Sequence, residues 1–257
     1  MIESISNGHK LTFEESRHFY NLDGKKIDSV TGVVKGGYPT SFRLINWMIK
    51  EGVKACIEFL KQFPEQVSRL PEYVIEEVLK SSCGASRRLA KEAANIGSLV
   101  HLYAEYYESA MPLDEEIHNS IVSNKDRQKI FSCIKKFRRW KRKNNDEIIK
   151  HEAICASTRY GIAGKFDRLA KRRNSVVLSD WKTSSGIFTE QFIQLALYTI
   201  LIEEWFNIKV DAIEIVRFGK EDGEFETKLI SDPQQLEELK QQSIRNIETT
   251  KFIKKWE

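Results

Sequence analysis

No two of the four cysteines in this 257-residue chain are spaced as a metal knuckle. Cys56, Cys83, Cys133 and Cys155 are scattered and form no C-x-x-C pair, which argues against a zinc or iron–sulfur centre built on thiolates. Scattered thiols fit a reducing compartment. No apolar run is long enough to span a bilayer. The opening MIESISNGHKLTFEES has no apolar h-region and is too acidic for a transit peptide, so the expected location is the cytoplasm. A P-loop of the form G-x-x-x-x-G-K-[ST] is missing, so no bound nucleotide and no fused motor is expected. Internal repeats and low-complexity linkers are missing too. Strong charge bias is also absent: 41 Lys+Arg against 37 Asp+Glu leave +4, which neither demands nor forbids a nucleic-acid partner.

What is present is a change of period. Residues 16–35 read as short strands, with Asp23-Gly24 as a hairpin turn between Arg17–Leu22 and Lys26–Val30. Gly36-Gly37-Tyr38-Pro39 breaks that pattern, and Thr40 or Ser41 can cap a helix over Phe42–Lys61. A shorter helix follows Pro71. From Ser86 to Ala110, the residues Leu89, Ala93, Ile96, Val100 and Tyr103 make one helical stripe, and another helix is predicted over Leu113–Asn144. HEAICAS, GKFDRLAK and SVVLSDWK then read as three consecutive strands with turns at Tyr160-Gly161 and Arg173-Asn174. A helix over Phe188–Phe206, a strand in VDAIEIVRFGK, a further strand in EFETKLI after Asp222-Gly223, and a helix from Pro233 to Glu257 complete the order. That order predicts an α/β (α+β) layer structure, a small mixed sheet flanked by helices, with a helical N-terminal portion. The expected organisation is a single domain over 1–257: a helical portion over about 40–145, a sheet core over about 146–230 and a terminal helix over 232–257.

The sharpest chemical feature is Asp167 followed, one tight turn later, by Asp180-Trp181-Lys182. Side chains alternate along a strand, so Asp180 and Lys182 share a face that Trp181 does not, and hairpin pairing can bring Asp167 to Asp180. Two carboxylates converging at a sheet end suit a hard cation such as Mg²⁺, which polarises a phosphoryl oxygen and makes a bound water more acidic. A lysine two residues from a ligand can orient that water or neutralise charge in the transition state. A surface-strand salt bridge has the same composition.

The wider pattern decides between these readings. Gly164-Lys165-Phe166-Asp167, Asp180-Trp181-Lys182-Thr183 and Gln194-Leu195-Ala196-Leu197-Tyr198 resemble, in order and spacing, the G-x-x-D strand, D-x-K-T strand and Q-x-x-x-Y helix of RecB-type PD-(D/E)XK nucleases. Gly97…His101 resembles the G-x-x-x-H helix of the same family. Ser29-Val30-Thr31 resembles the S-V-T element of phage exonucleases and the mitochondrial genome-maintenance exonuclease. The resemblance implies a restriction-endonuclease-like core. It implies metal ligation by His101, Asp167, Asp180 and the Trp181 carbonyl, with Lys182 as the catalytic cation. The metal it implies is Mg²⁺, replaceable by Mn²⁺. It implies hydrolysis of DNA, single-stranded or with free ends, in replication, recombination or repair. A structure-specific endonuclease and a DNA-binding module with an inactive site are the alternatives. Some relatives carry a four-cysteine iron–sulfur cluster with three cysteines near the C-terminus; here the last cysteine is Cys155, so no cluster is expected.

Around this set stand weaker candidates. Gln194, Tyr198 and Thr183 are expected to line the site and touch DNA backbone. Glu152 resembles the glutamate of the family's first core strand, as a secondary ligand or as a structural partner for a basic residue. Glu105 lies one turn beyond His101 and is either a site carboxylate or a solvated one. In Lys135–Lys143, the cations Lys135, Arg138, Arg139 and Arg142 stand beside Phe137 and Trp140. This is either a platform for single-stranded DNA, where bases stack and phosphates are neutralised, or a solvated helix face with buried aromatics. Arg87, Arg88 and Lys91 form a second basic set.

Overall fold

The computed structural model describes residues 1–37, 42–62, 71–144, 146–221 and 223–256. Its period-2 segments make β5 (Glu147–Ser157), β6 (Ile162–Arg172) and β7 (Ser175–Lys182), an antiparallel meander. The turns fall where expected. Gly161 (φ +62°) and Arg173 (φ +56°) occupy the left-handed region that closes each one. β8 (Ala212–Arg217) adds to β7 in parallel, after the crossover helix α7 (Thr189–Phe206), and β9 (Glu226–Ile230) adds antiparallel to β8.

The sheet is larger than the sequence leads one to expect. Periodicity assigns no element before residue 16, yet β1 (Ile2–Ser6) and β2 (His9–Glu14) form a hairpin there, turning at Asn7-Gly8 with φ +50° and +80°. Two positive φ values in succession are what a two-residue hairpin needs, and Asn-Gly supplies them at least cost. β3 (Phe19–Leu22) and β4 (Lys25–Ser29) follow, turning at Asp23-Gly24 as predicted. The strand expected to run on through Val30 does not. Residues Val30–Gly37 are helix α1, because Ser29 Oγ accepts from the Gly32 N–H at 3.0 Å and caps it, while Val30 and Val33 are buried.

β6 carries the architecture. On one edge it pairs along its length with β5. On the other, β4 runs parallel to Ile162 and Ala163, and β7 runs antiparallel to Arg168–Arg172. Neither ladder covers Gly164–Asp167 on that edge. The gap leaves a fork in the sheet, and α7 crosses it. A Cβ on Gly164 would lie 2.5 Å from the Tyr198 ring and 2.9 Å from Val30 Cγ2. The glycine and the tyrosine are therefore one fitted pair.

The chain divides into two compact units, residues 39–96 and residues 1–38 with 97–257. The smaller holds α2 (Phe42–Leu60), α3 (Glu72–Cys83) and the first half of α4 (Ala85–Glu108). The helix cap expected at Thr40 or Ser41 and the first residue of the Asp222-Gly223 turn lie outside the described residues. In the larger unit, α4 continues through Glu108. The single helix expected over Leu113–Asn144 is two, α5 (Glu115–Val122) and α6 (Arg127–Lys143). Between them Asn124 Oδ1 accepts from the Asp126 N–H at 2.8 Å, a side-chain turn that competes with the helical bond. α8 (Pro233–Trp256) packs on α7 and α1. Among the described residues no helix is long and apolar enough to cross a membrane.

Gly164→Ala should destabilise the protein by about 1–3 kcal/mol, since the methyl meets packed atoms. Urea melts of Gly164→Ala, with and without Tyr198→Leu, test the pairing. The loss should shrink in the Leu background. An equal loss in both would show that Tyr198 is not what excludes the methyl.

Candidate active site

Strand alternation places Asp167 and Asp180 at the fork, one on each arm. The last ladder pair between the arms is Arg168 with Ser179. Beyond it the Trp181 N–H, which would otherwise continue the ladder, donates to Asp167 Oδ2 at 2.7 Å. A carboxylate thus replaces a backbone acceptor at the point where the strands part. Trp181 turns its ring toward α6, with ring centroids 5.4 Å from Phe137 and 6.2 Å from Trp140. Lys182 turns the other way. Its ammonium pairs with Asp180 at 2.6 Å and makes a long contact, 3.4 Å, with Gln194 Oε1 on α7.

His101 reaches the same point from α4. Its Nε2 lies 2.8 Å from the Trp181 carbonyl oxygen, which can only accept, so Nε2 carries the proton. Nδ1 faces Asp167 Oδ1 at 3.6 Å. The glycine one turn before has a local reason: a Cβ on Gly97 would approach Thr183 Oγ1 to 3.2 Å. The motifs that resemble G-x-x-x-H and D-x-K-T therefore pack against each other, and Thr183 is buried by that contact.

Glu152 joins them through strained backbone. It has φ +47°, a left-handed conformation that costs a non-glycine residue on the order of 1–3 kcal/mol. The flanking pairs His151 with Arg168 and Ala153 with Phe166 leave Glu152 facing Asp167 across the ladder. Carboxylates placed so repel. Lys165 answers the repulsion, pairing with Glu152 at 2.7 Å and with Glu15 at 3.5 Å. Periodicity alone did not single out Lys165, although it stands two residues before Asp167 and so on the same strand face. Glu105 adds to the field at Lys165 but is outside the tight cluster.

One ligand atom each from His101, Glu152 and Asp167 lies within 4.8 Å of the others. Glu152 Oε1 is buried with no hydrogen-bond partner. An acceptor left unpaired among two further donor groups fits a small hard cation, which prefers oxygen and imidazole ligands. The Trp181 carbonyl stands beside this set through His101. Asp180 is taken up by Lys182.

The electrostatics agree with the crowding. Burial, with Asp167 alongside, pushes Glu152 up to about 7, against the pull of Lys165. Burial also pushes Asp180 up to about 6; Lys182 opposes this and Asp167 adds to it. For Lys182, burial works against the ammonium, but Asp180 and Asp167 outweigh it and hold the group above its ordinary value. Lys182 is a cation at neutral pH.

The remaining candidates fall in different places. Tyr198 is buried against Gly164, while Gln194 is half-buried beside Lys182. Phe137 and Trp140 are fully buried with Trp181 and Phe218, so they are core and not a stacking platform. Arg138 donates to the Tyr103 hydroxyl at 2.6 Å and Arg139 pairs with Glu224 at 2.6 Å, while Lys135 and Arg142 are exposed. Arg87, Arg88 and Lys91 belong to the unit 39–96, where Arg88 donates to the Ser81 carbonyl at 3.3 Å. Ser29 and Thr31 hydroxyls lie 3.2 Å apart at the start of α1.

The raised Glu152 value has a consequence for stability. Its carboxyl titrates near 7 when folded, against 4.5 for the ordinary group, so between these values the native state holds a proton that the unfolded chain has lost. Stability from this group therefore falls as pH rises through that window. In chelator, Glu152→Gln should gain stability relative to the unsubstituted protein between pH 5 and pH 7.5. Thermal melts across that range check it. A difference that stays constant with pH would mean that Glu152 is ionised without penalty.

Two solved structures align with parts of the chain. A candidate exonuclease from Eubacterium rectale is 14% identical, over 62% of this chain and 67% of its own, with a TM-score of 0.40. The protein SSO0001 is 15% identical, over 59% of this chain and 73% of its own, with a TM-score of 0.32. A search of curated proteins gave no match. The model of the PD-(D/E)XK nuclease superfamily matches residues 71–255, well over half of the chain and every residue of the cluster, and the helix-flanked mixed sheet is the restriction-endonuclease-like arrangement expected for it. On that match the chain belongs to the PD-(D/E)XK nuclease superfamily.

Proposed function

We propose that this protein is a Mg²⁺-dependent deoxyribonuclease, able to use Mn²⁺, that acts as an exonuclease on single-stranded or end-containing DNA in replication, recombination or repair. The observation that carries the reading is the cluster at the fork: His101, Glu152 and Asp167 within reach of one ion, next to the Asp180–Lys182 pair. Exonuclease action is favoured by the resemblance of Ser29-Val30-Thr31 to the S-V-T element of phage exonucleases.

Asp167, Glu152, His101 and the Trp181 carbonyl are the groups that would hold the ion, with Asp180 released to it from Lys182. When bound, the ion supplies Lewis-acid polarisation of the scissile phosphate and a more acidic water. The protein's own groups do the rest. The Lys182 ammonium, kept charged by its two aspartates, sits where it can offset negative charge developing on the phosphoryl oxygens. Asp180 holds the ammonium at 2.6 Å, so the charge is pre-positioned. The imidazole of His101 directs Nε2 to the Trp181 carbonyl, which turns Nδ1 toward Asp167. The carboxylate of Asp167 is pinned by the Trp181 N–H where the two strands part.

End-labelled linear DNA, single- and double-stranded, incubated beside closed circular DNA with Mg²⁺ tests the reading. Linear DNA should be consumed and the circle left intact, with all activity lost in chelator. Nicking of the circle would assign an endonuclease instead. Asp180→Asn should lower turnover at least tenfold while DNA binding persists. More than a tenth of the original rate would remove Asp180 from the site, and full activity in excess chelator would overturn the cation requirement.

A further inference from the structure

Two adjoining cavities lie along α6 in the larger unit. The first, of about 290 Å³, begins with the residues that follow Lys182 and is walled by Thr183, Ser184, Ser185, Arg217 and Lys220. The second, of about 480 Å³, is lined by Phe131, Ser132, Lys135 and Arg139 of α6. They share Lys136 and Glu224. Lys136 is buried, its ammonium donating to the Gly219 carbonyl at 2.5 Å and to that of Glu221, so it fixes the 219–221 loop against α6 and forms the floor where the cavities meet.

From this arrangement we infer that the two cavities form one trough that carries a single strand of DNA between the active site and α6, with a base stacked on Phe131. The inference rests on the reading of the protein as a DNA nuclease. Phe131 is 47% exposed, although a large apolar ring gains from burial. It differs in this from Phe137 and Trp140 on the same helix, both 0% exposed. Cations stand along its path: Arg217, the ladder neighbour of Lys182, and Lys220 at the Thr183 end, with Lys135 and Arg139 beside Phe131. Lys220 has no ion-pair partner among the described residues. Arg217 and Arg139 are paired with the carboxylates of Glu226 and Glu224, both more than half exposed, and such pairs are weak enough for a phosphate to displace. Glu224 and Glu221 also line the trough; Glu224 is occupied by Arg139, and Glu221 contributes its carbonyl to Lys136 and to Ser132. An aromatic face among cations selects a strand whose bases are free of a complement, because only those can lie on the ring.

Equilibrium binding of fluorescein-labelled oligo(dT) to the full chain, in chelator and at several salt concentrations, tests this without requiring cleavage. Phe131→Ala should weaken binding roughly 5- to 150-fold, the range of one lost base–aromatic stack. Phe131→Trp should restore it. Lys135→Gln with Lys220→Gln should make the slope of log K against log[salt] shallower by about 1.4, two phosphate contacts on a single strand. Those losses support the trough even if the unsubstituted protein cleaves no DNA, in which case the nuclease reading fails alone. Unchanged affinity in Phe131→Ala together with an unchanged slope in the double variant overturns the trough, even if the protein cleaves DNA. Duplex DNA bound as tightly as oligo(dT), with the same dependence on Phe131, overturns the choice of a single strand.

Discussion

The hydrogen bond from the Trp181 N–H to the Asp167 carboxylate sets the geometry of everything around it. A strand that leaves its ladder exposes a backbone donor, and a buried donor without an acceptor is costly. Here the acceptor is a side chain of the neighbouring strand, so β7 can separate from β6 and remain satisfied. That separation opens the end of the sheet. It directs the Trp181 carbonyl to His101, Lys182 to Gln194, and the Trp181 ring into the aromatic packing of α6. The same carboxylate faces Glu152, which ties the third strand into the fork.

The arrangement concentrates negative charge where burial opposes it. Asp167, Asp180 and Glu152 sit together, and two of the three are pushed well above their ordinary pKa. Lys165 and Lys182 each offset one carboxylate and leave the cluster anionic on balance. The charges on the other face of the sheet are paired instead. There Arg168, fully buried, pairs with Asp146 at 3.1 Å and Glu108 at 3.4 Å, and Arg172 bridges Asp146 to Glu214 at 3.0 Å each. Burial alone would raise Asp146, but Arg172 and Arg168 hold it below the ordinary carboxylate range. One face carries paired charge and a packed aromatic cluster, and the other carries charge that invites a cation.

Much of this was legible in the sequence because strands alternate. The period-2 runs placed Asp180 and Lys182 on one face and Trp181 on the other, and the turns at Gly161 and Arg173 fixed which strands pair. Two elements depart from the pattern where a short polar signal outranks it. Val30, Val33 and Val34 suggest a strand, but Ser29 caps a helix; Asn124 and Asp126 interrupt what looks like one long helix. Asn7-Gly8 was a hairpin signal in plain view. Phe137 and Trp140 continue the stripe Ile130, Cys133, Ile134 at helical spacing, which marks them as core. The approach of Glu152 to Asp167 was not legible, because it depends on one left-handed residue inside a strand and on the register of its neighbours. The fit of Tyr198 to Gly164 was not legible either. Each residue belongs to a separate motif, and only the crossover of α7 over the fork brings them together.

The claim on which the account turns is that the fork binds a divalent cation through His101, Glu152 and Asp167. Calorimetric titration of the DNA-free protein with Mn²⁺ tests it most directly. The protein as it stands should bind, and His101→Ala and Asp167→Asn should each weaken binding at least tenfold, in the range seen when an element of a metal site is removed. Equal Mn²⁺ affinity in all three proteins would contradict it.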